Sequence, residues 1–179
     1  YLTRILLRFF LRAWEYFSMI DIIKVGMADM NTTFCPGVLT TLGLGSCVGI
    51  CLYDPSTKIA GLVHIMLPSS AQIKNNSNEA KFADTGIVKL VNEMIRIGAK
   101  RNKLVSKIAG GAQMFNFNDT SEVMRIGSRN ITATKDTLKL LNIPLIAEDT
   151  GGNYGRTIEL YSETGILLIK TIGYGTKQI

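Results

Sequence analysis

Histidine and cysteine are scarce in this sequence of 179 residues, and their scarcity limits the chemistry available to it. His64 is the single histidine, and the three cysteines are Cys35, Cys47 and Cys51. An odd number of cysteines does not fit the paired framework of a small secreted disulfide protein, which indicates a reducing compartment. The spacing of Cys47 and Cys51 differs from the two-residue spacing of common zinc knuckles, so we expect no metal site.

Two further absences concern charge and long apolar runs. The 20 basic and 14 acidic side chains give a net charge of +6, yet no block of consecutive lysines and arginines occurs and no aromatic residues alternate with basic ones. The sequence therefore predicts no nucleic-acid binding, although its charge favours acidic partners. With 46% hydrophobic residues, we expect one folded domain, located in the cytoplasm and not inserted in a membrane.

Residues 1–18 differ from the rest of the chain. Arg4, Arg8 and Arg12 would form a narrow polar stripe on an otherwise apolar helix, which is typical of an amphipathic surface helix. The alternative is a non-native extension translated upstream of a start at Met19. We favour the second interpretation, because Met19 directly precedes the first strand pattern, and we place the folded domain at residues 19–179.

The pattern of apolar residues predicts a mixed α+β domain. An apolar stripe over residues 81–97 predicts a helix that ends at Gly98. A second helix is predicted to begin with Ser128 as its N-cap and to end before Pro144. Strands are predicted at residues 22–25, 37–42, 48–53, 59–66, 104–109, 145–147, 157–161 and 166–171.

The predicted hairpin around residues 54–58 suggests a catalytic pair. If Tyr53 pairs with Ile59, His64 faces Val48 and comes close to Cys47. A histidine beside a cysteine can hold it as a reactive thiolate, so we expect the pKa of Cys47 to be depressed.

The glycine-rich segment before Cys47 could supply the other part of such a site. The N–H groups of Gly45 and Ser46 could stabilise an oxyanion there. From the residues alone, however, a buried structural cysteine and a structural histidine are an open alternative. Cys35 and Cys51 are interpreted as structural.

Several longer motifs resemble those of the CheD family of chemoreceptor glutamine deamidases. The strongest are residues 41–47 (TLGLGSC) and 61–68 (GLVHIMLP). Others follow at residues 81–85 (KFADT), 107–115 (KIAGGAQMF), 126–130 (IGSRN) and 147–153 (AEDTGGN). The resemblance spans roughly residues 22–172.

The resemblance implies a function and the residues that perform it. Cys47 would be the nucleophile, His64 the base and Thr41 an assisting residue, with no cofactor. The reaction would convert receptor glutamines to glutamates through a cysteine thioester. The implied fold is a layered α/β/β/α domain shared with deamidating bacterial toxins, in which two mixed sheets pack together.

The resemblance also implies partners, and two other functions stay open. The implied partners are the cytoplasmic helices of chemoreceptors and a CheC-type phosphatase. One alternative is a methylesterase that uses the same nucleophile on receptor glutamate methyl esters. The other is a binding module whose main role is to regulate that phosphatase.

Overall fold

The computed structural model describes residues 20–72, 77–113 and 125–179. The N-terminal extension predicted for residues 1–18 lies outside these ranges. Short 3-10 helices occur at Ser70–Gln72, Glu79–Lys81 and Arg101–Lys103. The strands and α-helices are β1 (Asp21–Lys24), β2 (Met30–Thr33), β3 (Gly37–Leu44), β4 (Val48–Asp54), β5 (Ile59–Ile65), α1 (Ala83–Arg96), β6 (Val105–Gly110), α2 (Ile126–Leu140), β7 (Leu145–Thr150), β8 (Arg156–Tyr161), β9 (Leu167–Thr171) and β10 (Gly175–Gln178).

The strands of the described residues form two mixed sheets. The first sheet has the order β1-β3-β8-β9-β10, and the second has the order β2-β5-β4-β6-β7. The pairs β1/β3 and β6/β7 are parallel, whereas the other neighbours are antiparallel. Together with the two helices, this arrangement confirms the predicted α+β fold of paired sheets.

Alternate side chains of the second sheet face two different cores. One face packs against the helices, with Leu90 and Met94 of α1 among the fully buried residues. The other face packs against the first sheet, through residues such as Cys51 and Leu62. In the described part of the chain both helices lie on the same side, so the layers run helix, sheet, sheet, whereas the implied α/β/β/α layering has helices outside both sheets. Truncating a buried side chain such as Leu90 to alanine would cost about 2–5 kcal/mol.

The register of the β4–β5 hairpin differs by one residue from the prediction. Asp54 pairs directly with Ile59, so His64 faces Gly49 and not Val48. The cause is a shorter turn: Lys58 has a φ of 56°, and its N–H donates to the Asp54 carbonyl at 2.8 Å. A shift of one residue moves a side chain to the opposite face of a sheet.

Most other predicted elements are confirmed, with different boundaries. The helix predicted over residues 81–97 is α1, and the segments predicted as strands all belong to strands of the two sheets. The prediction of Ser128 as an N-cap is wrong. The helix α2 begins at Ile126, and its N-cap position, Arg125, makes no side-chain capping hydrogen bond. Among the described residues, no helix combines the length and apolar character that a membrane crossing requires.

Candidate active site

The turn that carries Cys47 joins β3 to β4. Gly43 has a φ of 73°, in the left-handed region that glycine adopts without strain. The Gly45 N–H donates to the Gly43 carbonyl at 2.9 Å, so the chain turns tightly before it reaches the cysteine. Cys47 is half-buried and packs against the core between the sheets. The turn therefore presents the thiol at the rim of that core.

His64 lies on the same face of the second sheet as Cys47. It pairs with Gly49, and Cys47 precedes Gly49 by two residues, so both side chains point towards the first sheet. The Cα atoms of such diagonal neighbours lie about 7–8 Å apart, and long side chains can bridge this distance. The predicted register would have put the two side chains on opposite faces, so the observed register favours their meeting.

Thr41 holds the His64 ring in one orientation. The Thr41 Oγ1 lies 2.7 Å from His64 Nδ1 and donates its only proton to the Val25 carbonyl at 2.7 Å. The hydroxyl can then only accept from the ring, which assigns the proton to Nδ1. The Nε2 atom is left with its lone pair, and it has no hydrogen-bond partner within the described part of the chain.

Both members of the pair are neutral at neutral pH. His64 is fully buried, and burial lowers its pKa to about 4. Burial also raises the pKa of the Cys47 thiol, opposed in part by the backbone N–H of the same residue. The expected depression of the Cys47 pKa is therefore wrong for this conformation, because no imidazolium is present to stabilise a thiolate.

Three successive carbonyls of the turn are held by hydrogen bonds. The Gly45 carbonyl accepts from Ala112 N–H at 2.7 Å, and the Cys47 carbonyl accepts from Gly111 N–H at 2.7 Å. The Ser46 carbonyl accepts from the side chain of Asn130 at 2.9 Å. By contrast, the N–H groups of Ser46 and Cys47 donate to no acceptor of another residue within 20–72, 77–113 and 125–179, and the Cys47 N–H faces its own sulfur.

The last residue of β6 approaches the turn so closely that it must be glycine. Gly110 has a φ of 112°, and a Cβ atom there would lie 2.3 Å from the Cys47 carbonyl oxygen. Sequence reasoning gave no role to this glycine or to Asn130. The only sequence signal for them was their place in the motifs at residues 107–115 and 126–130, and no spacing connected those motifs to Cys47.

The structure brings some of the predicted residues together and separates others. Thr41 and His64 are directly hydrogen-bonded, and Cys47 shares their space between the sheets. The Gly45 N–H is used inside the turn, which leaves Ser46 as the predicted residue with an open N–H.

The other two cysteines lie outside this arrangement. Cys51 is 1% exposed, and burial raises its pKa. Cys35 is half-buried in the segment between β2 and β3. No three His, Cys, Asp or Glu side chains of the described residues come close enough together to hold a metal ion.

Comparison with known proteins shows which family this chain is related to. The family model described as CheD chemotactic sensory transduction matches residues 66–171. The probable chemoreceptor glutamine deamidase CheD of Caldanaerobacter subterraneus subsp. tengcongensis is 64% identical over 158 residues, which cover 88% of this chain and 98% of that protein. The chain belongs to the CheD family. A second relative with the same name, from Lachnoclostridium phytofermentans, is 58% identical over 159 residues, covering 89% of this chain and 99% of its own.

The resemblance to the CheD family that the motifs indicated is thus confirmed. The match to the CheD family model includes Gly110, which lies close to the turn, and Asn130, which donates to it, whereas Thr41, Cys47 and His64 precede the matched residues. A solved structure, Neisseria meningitidis protein NMB0706, aligns over 75% of this chain and 65% of its own, with a TM-score of 0.49 and 6% identity.

Proposed function

We propose that this protein is a cytoplasmic enzyme that hydrolyses glutamine side chains of chemoreceptors to glutamate, with Cys47 as nucleophile. The observation that carries the proposal is the arrangement around that thiol. A histidine with a free Nε2 lone pair lies on the same face of the sheet, and the N–H groups of Ser46 and of Cys47 itself donate to no other described residue. The relatives named as glutamine deamidases support the substrate.

The first half of the reaction forms a thioester. The Cys47 sulfur attacks the side-chain carbonyl carbon of the glutamine, while His64 Nε2 takes the thiol proton. Because both groups are neutral at rest, the proton moves as the carbon–sulfur bond forms. The oxyanion accepts hydrogen bonds from the N–H groups of Ser46 and Cys47. His64 then gives its proton to the amide nitrogen, the carbon–nitrogen bond breaks and ammonia leaves.

The second half of the reaction releases glutamate. Water attacks the thioester carbon while His64 Nε2 takes one of its protons, and the same N–H groups hold the new oxyanion. The carbon–sulfur bond breaks, and His64 returns the proton to the Cys47 sulfur. In sum, one amide and one water yield one carboxylic acid and one ammonia. Thr41 acts through His64, because its hydroxyl keeps the ring proton on Nδ1 during both steps.

The resemblance to the family also supports the partners. Chemoreceptors present their glutamines on cytoplasmic helices, and the net charge of +6 favours association with acidic helical surfaces. A CheC-type phosphatase is the second partner of this proposal. Residues 19–179 would form the enzymatic domain, and residues 1–18 would be dispensable for catalysis.

Incubation with a purified cytoplasmic receptor fragment in heavy-oxygen water tests the proposal. We expect ammonia release, together with glutamine-to-glutamate conversion in which each new carboxylate carries one solvent oxygen, since water opens the thioester. Cys47→Ala should abolish both signals, whereas Cys35→Ala should retain them and serves as the matched control. Release of methanol from a methylated fragment without any ammonia would instead identify a methylesterase. Unchanged conversion by folded Cys47→Ala protein would remove the nucleophile.

A further inference from the structure

Asn130 is a polar residue on the buried face of α2. Its side chain is 0% exposed, a position where an amide is costly unless its hydrogen bonds are made. The two N–H donors of Nδ2 are both used, whereas Oδ1 has no hydrogen-bond partner among the described residues. One donates to the Ser46 carbonyl at 2.9 Å, and the other donates to the Met66 carbonyl at 2.9 Å.

The two acceptors of Asn130 lie beside the two residues that perform the chemistry. Ser46 directly precedes Cys47 in the turn, and Met66 follows His64 by two residues, just beyond the end of β5. Neither carbonyl belongs to a strand, so the sheet ladder does not fix its direction. A single side chain thus connects the turn of the nucleophile to the strand of the base.

The bond to Ser46 also determines where the Cys47 N–H points. The Ser46 carbonyl and the Cys47 N–H belong to the same peptide unit, which is planar and trans, so they point in opposite directions. Anchoring the carbonyl to Asn130 therefore aims the N–H to the other side. The neighbouring carbonyls of Gly45 and Cys47 are held by backbone donors, so this peptide is the one in the turn whose carbonyl is held by a side chain.

The start of α2 lies close enough to the site for this contact. Gly127 sits against the loop after β6, where a Cβ atom would lie 2.5 Å from the Gly111 carbonyl oxygen and 2.7 Å from that of Ala112. That same loop donates to the turn through Gly111 and Ala112. The helix therefore packs directly on the structure that surrounds Cys47, with Asn130 one turn further along.

From this geometry we propose that Asn130 is a positioning residue that aims the Cys47 N–H at the oxyanion of the reaction. The inference rests on the proposed hydrolysis and adds to it a residue that touches neither substrate nor reacting atoms. The interaction is specific to an amide donor, because aspartate has the same shape but presents oxygen to both carbonyls.

Turnover and thiol reactivity of Asn130→Ala and Asn130→Asp, measured side by side, test this role. With a receptor fragment as substrate, we expect kcat to fall on the order of 10- to 100-fold with KM nearly unchanged, because only the transition state carries the oxyanion. The limiting rate of Cys47 alkylation by iodoacetamide, taken from its pH profile at full ionisation of the thiol, should stay near the wild-type value, because displacement of iodide creates no oxyanion. If Asn130→Ala does not fold, Asn130→Ser replaces it in the same comparison.

Thr134→Val is the matched control. Thr134 lies one turn further on the same buried face and is also 0% exposed, but its Oγ1 makes no hydrogen bond within the described part of the chain. This variant should keep the wild-type kcat. A loss of kcat in the Asn130 variants no greater than in Thr134→Val would overturn the proposal, as would an equal loss of kcat and of the limiting alkylation rate.

An activity-independent measurement separates this proposal from the proposed function. In the NMR relaxation of the free enzyme, the Cys47 amide should have an order parameter of about 0.85, which should fall towards 0.6 in Asn130→Ala and Asn130→Asp but not in Thr134→Val. An unchanged order parameter in the Asn130 variants refutes the positioning role. Absence of ammonia release by the wild-type enzyme would refute the hydrolysis, and the order parameter alone would then decide whether Asn130 positions the turn.

Discussion

Replacing Thr41 with valine should remove the hydrogen bond that orients His64, without altering the shape of the surroundings of the ring. The hydroxyl makes two hydrogen bonds of 2.7 Å, to His64 Nδ1 and to the Val25 carbonyl. Valine fills nearly the same volume but makes neither bond. The ring must then leave a buried N–H unsatisfied, at a cost of about 1–3 kcal/mol, or move its proton to Nε2, where the lone pair is needed.

Either outcome lowers the population of the reactive tautomer. Since about 1.4 kcal/mol corresponds to a tenfold change in rate, we expect kcat for ammonia release to fall roughly 10- to 100-fold in Thr41→Val. Thr41→Ser keeps the hydroxyl and should recover most of the activity. The free energy of unfolding, measured by urea denaturation, should decrease by about 1–3 kcal/mol in Thr41→Val.

Thr40→Val provides the control for this experiment. Thr40 is the adjacent residue of β3, it is 7% exposed, and its hydroxyl donates to the Ile158 carbonyl at 2.9 Å. Its substitution removes a buried hydrogen bond from the same strand but leaves His64 untouched, so stability should decrease while kcat is retained. If Thr41→Val loses no more activity than Thr40→Val, Thr41 does not orient the base.

Three further predictions concern the pH dependence of catalysis, of Cys47 alkylation and of stability. The acid limb of kcat/KM should lie near pH 4 and not near 6.5, because burial lowers the pKa of His64 to about 4; inhibition centred near 6.5 would contradict a buried base. Alkylation of Cys47 in the free enzyme should increase with pH around a pKa above the ordinary thiol value, since burial raises it, and an apparent pKa well below that value would indicate an ion pair instead. Burial opposes the ionisation of Asp54, but hydrogen bonds from Lys100, Ser56 and Thr57 outweigh it and lower the pKa to about 2. A lowered pKa stabilises the folded state above the unfolded pKa, so roughly 2 kcal/mol of stability should be lost as the pH falls from about 4 to 2. In Asp54→Ala, urea denaturation should show reduced stability at neutral pH and a smaller further loss over that window; an equally large loss would assign the acid sensitivity to other groups.

The hairpin that carries the site could be predicted because its signals are local. The apolar runs of β4 and β5 flank a turn that begins with Asp54-Pro55, and this pattern predicted both strands. The register was missed by one residue because it depends on Lys58 adopting a positive φ, which its residue type does not favour. Only the actual register places His64 on the face of Cys47.

Other elements were missed because their signals are weak. The strands β2 and β10 are short, polar and lie at sheet edges, so no apolar alternation marks them. The role of Asn130 depends on hydrogen bonds to Ser46 and Met66, which precede it in the sequence by 84 and 64 positions. Such contacts follow from the packing of α2 on the turn, which no local pattern encodes.

The neutral resting pair has a consequence for the survival of the enzyme under oxidative stress. Peroxide attacks thiolates far more readily than thiols, and oxidation beyond the sulfenic acid is irreversible for most cysteines. With the pKa of Cys47 raised and that of His64 lowered, the sulfur keeps its proton until a substrate carbonyl arrives to accept its electrons. A cell exposed to peroxide would then retain this activity while enzymes that store a ready-made thiolate are lost.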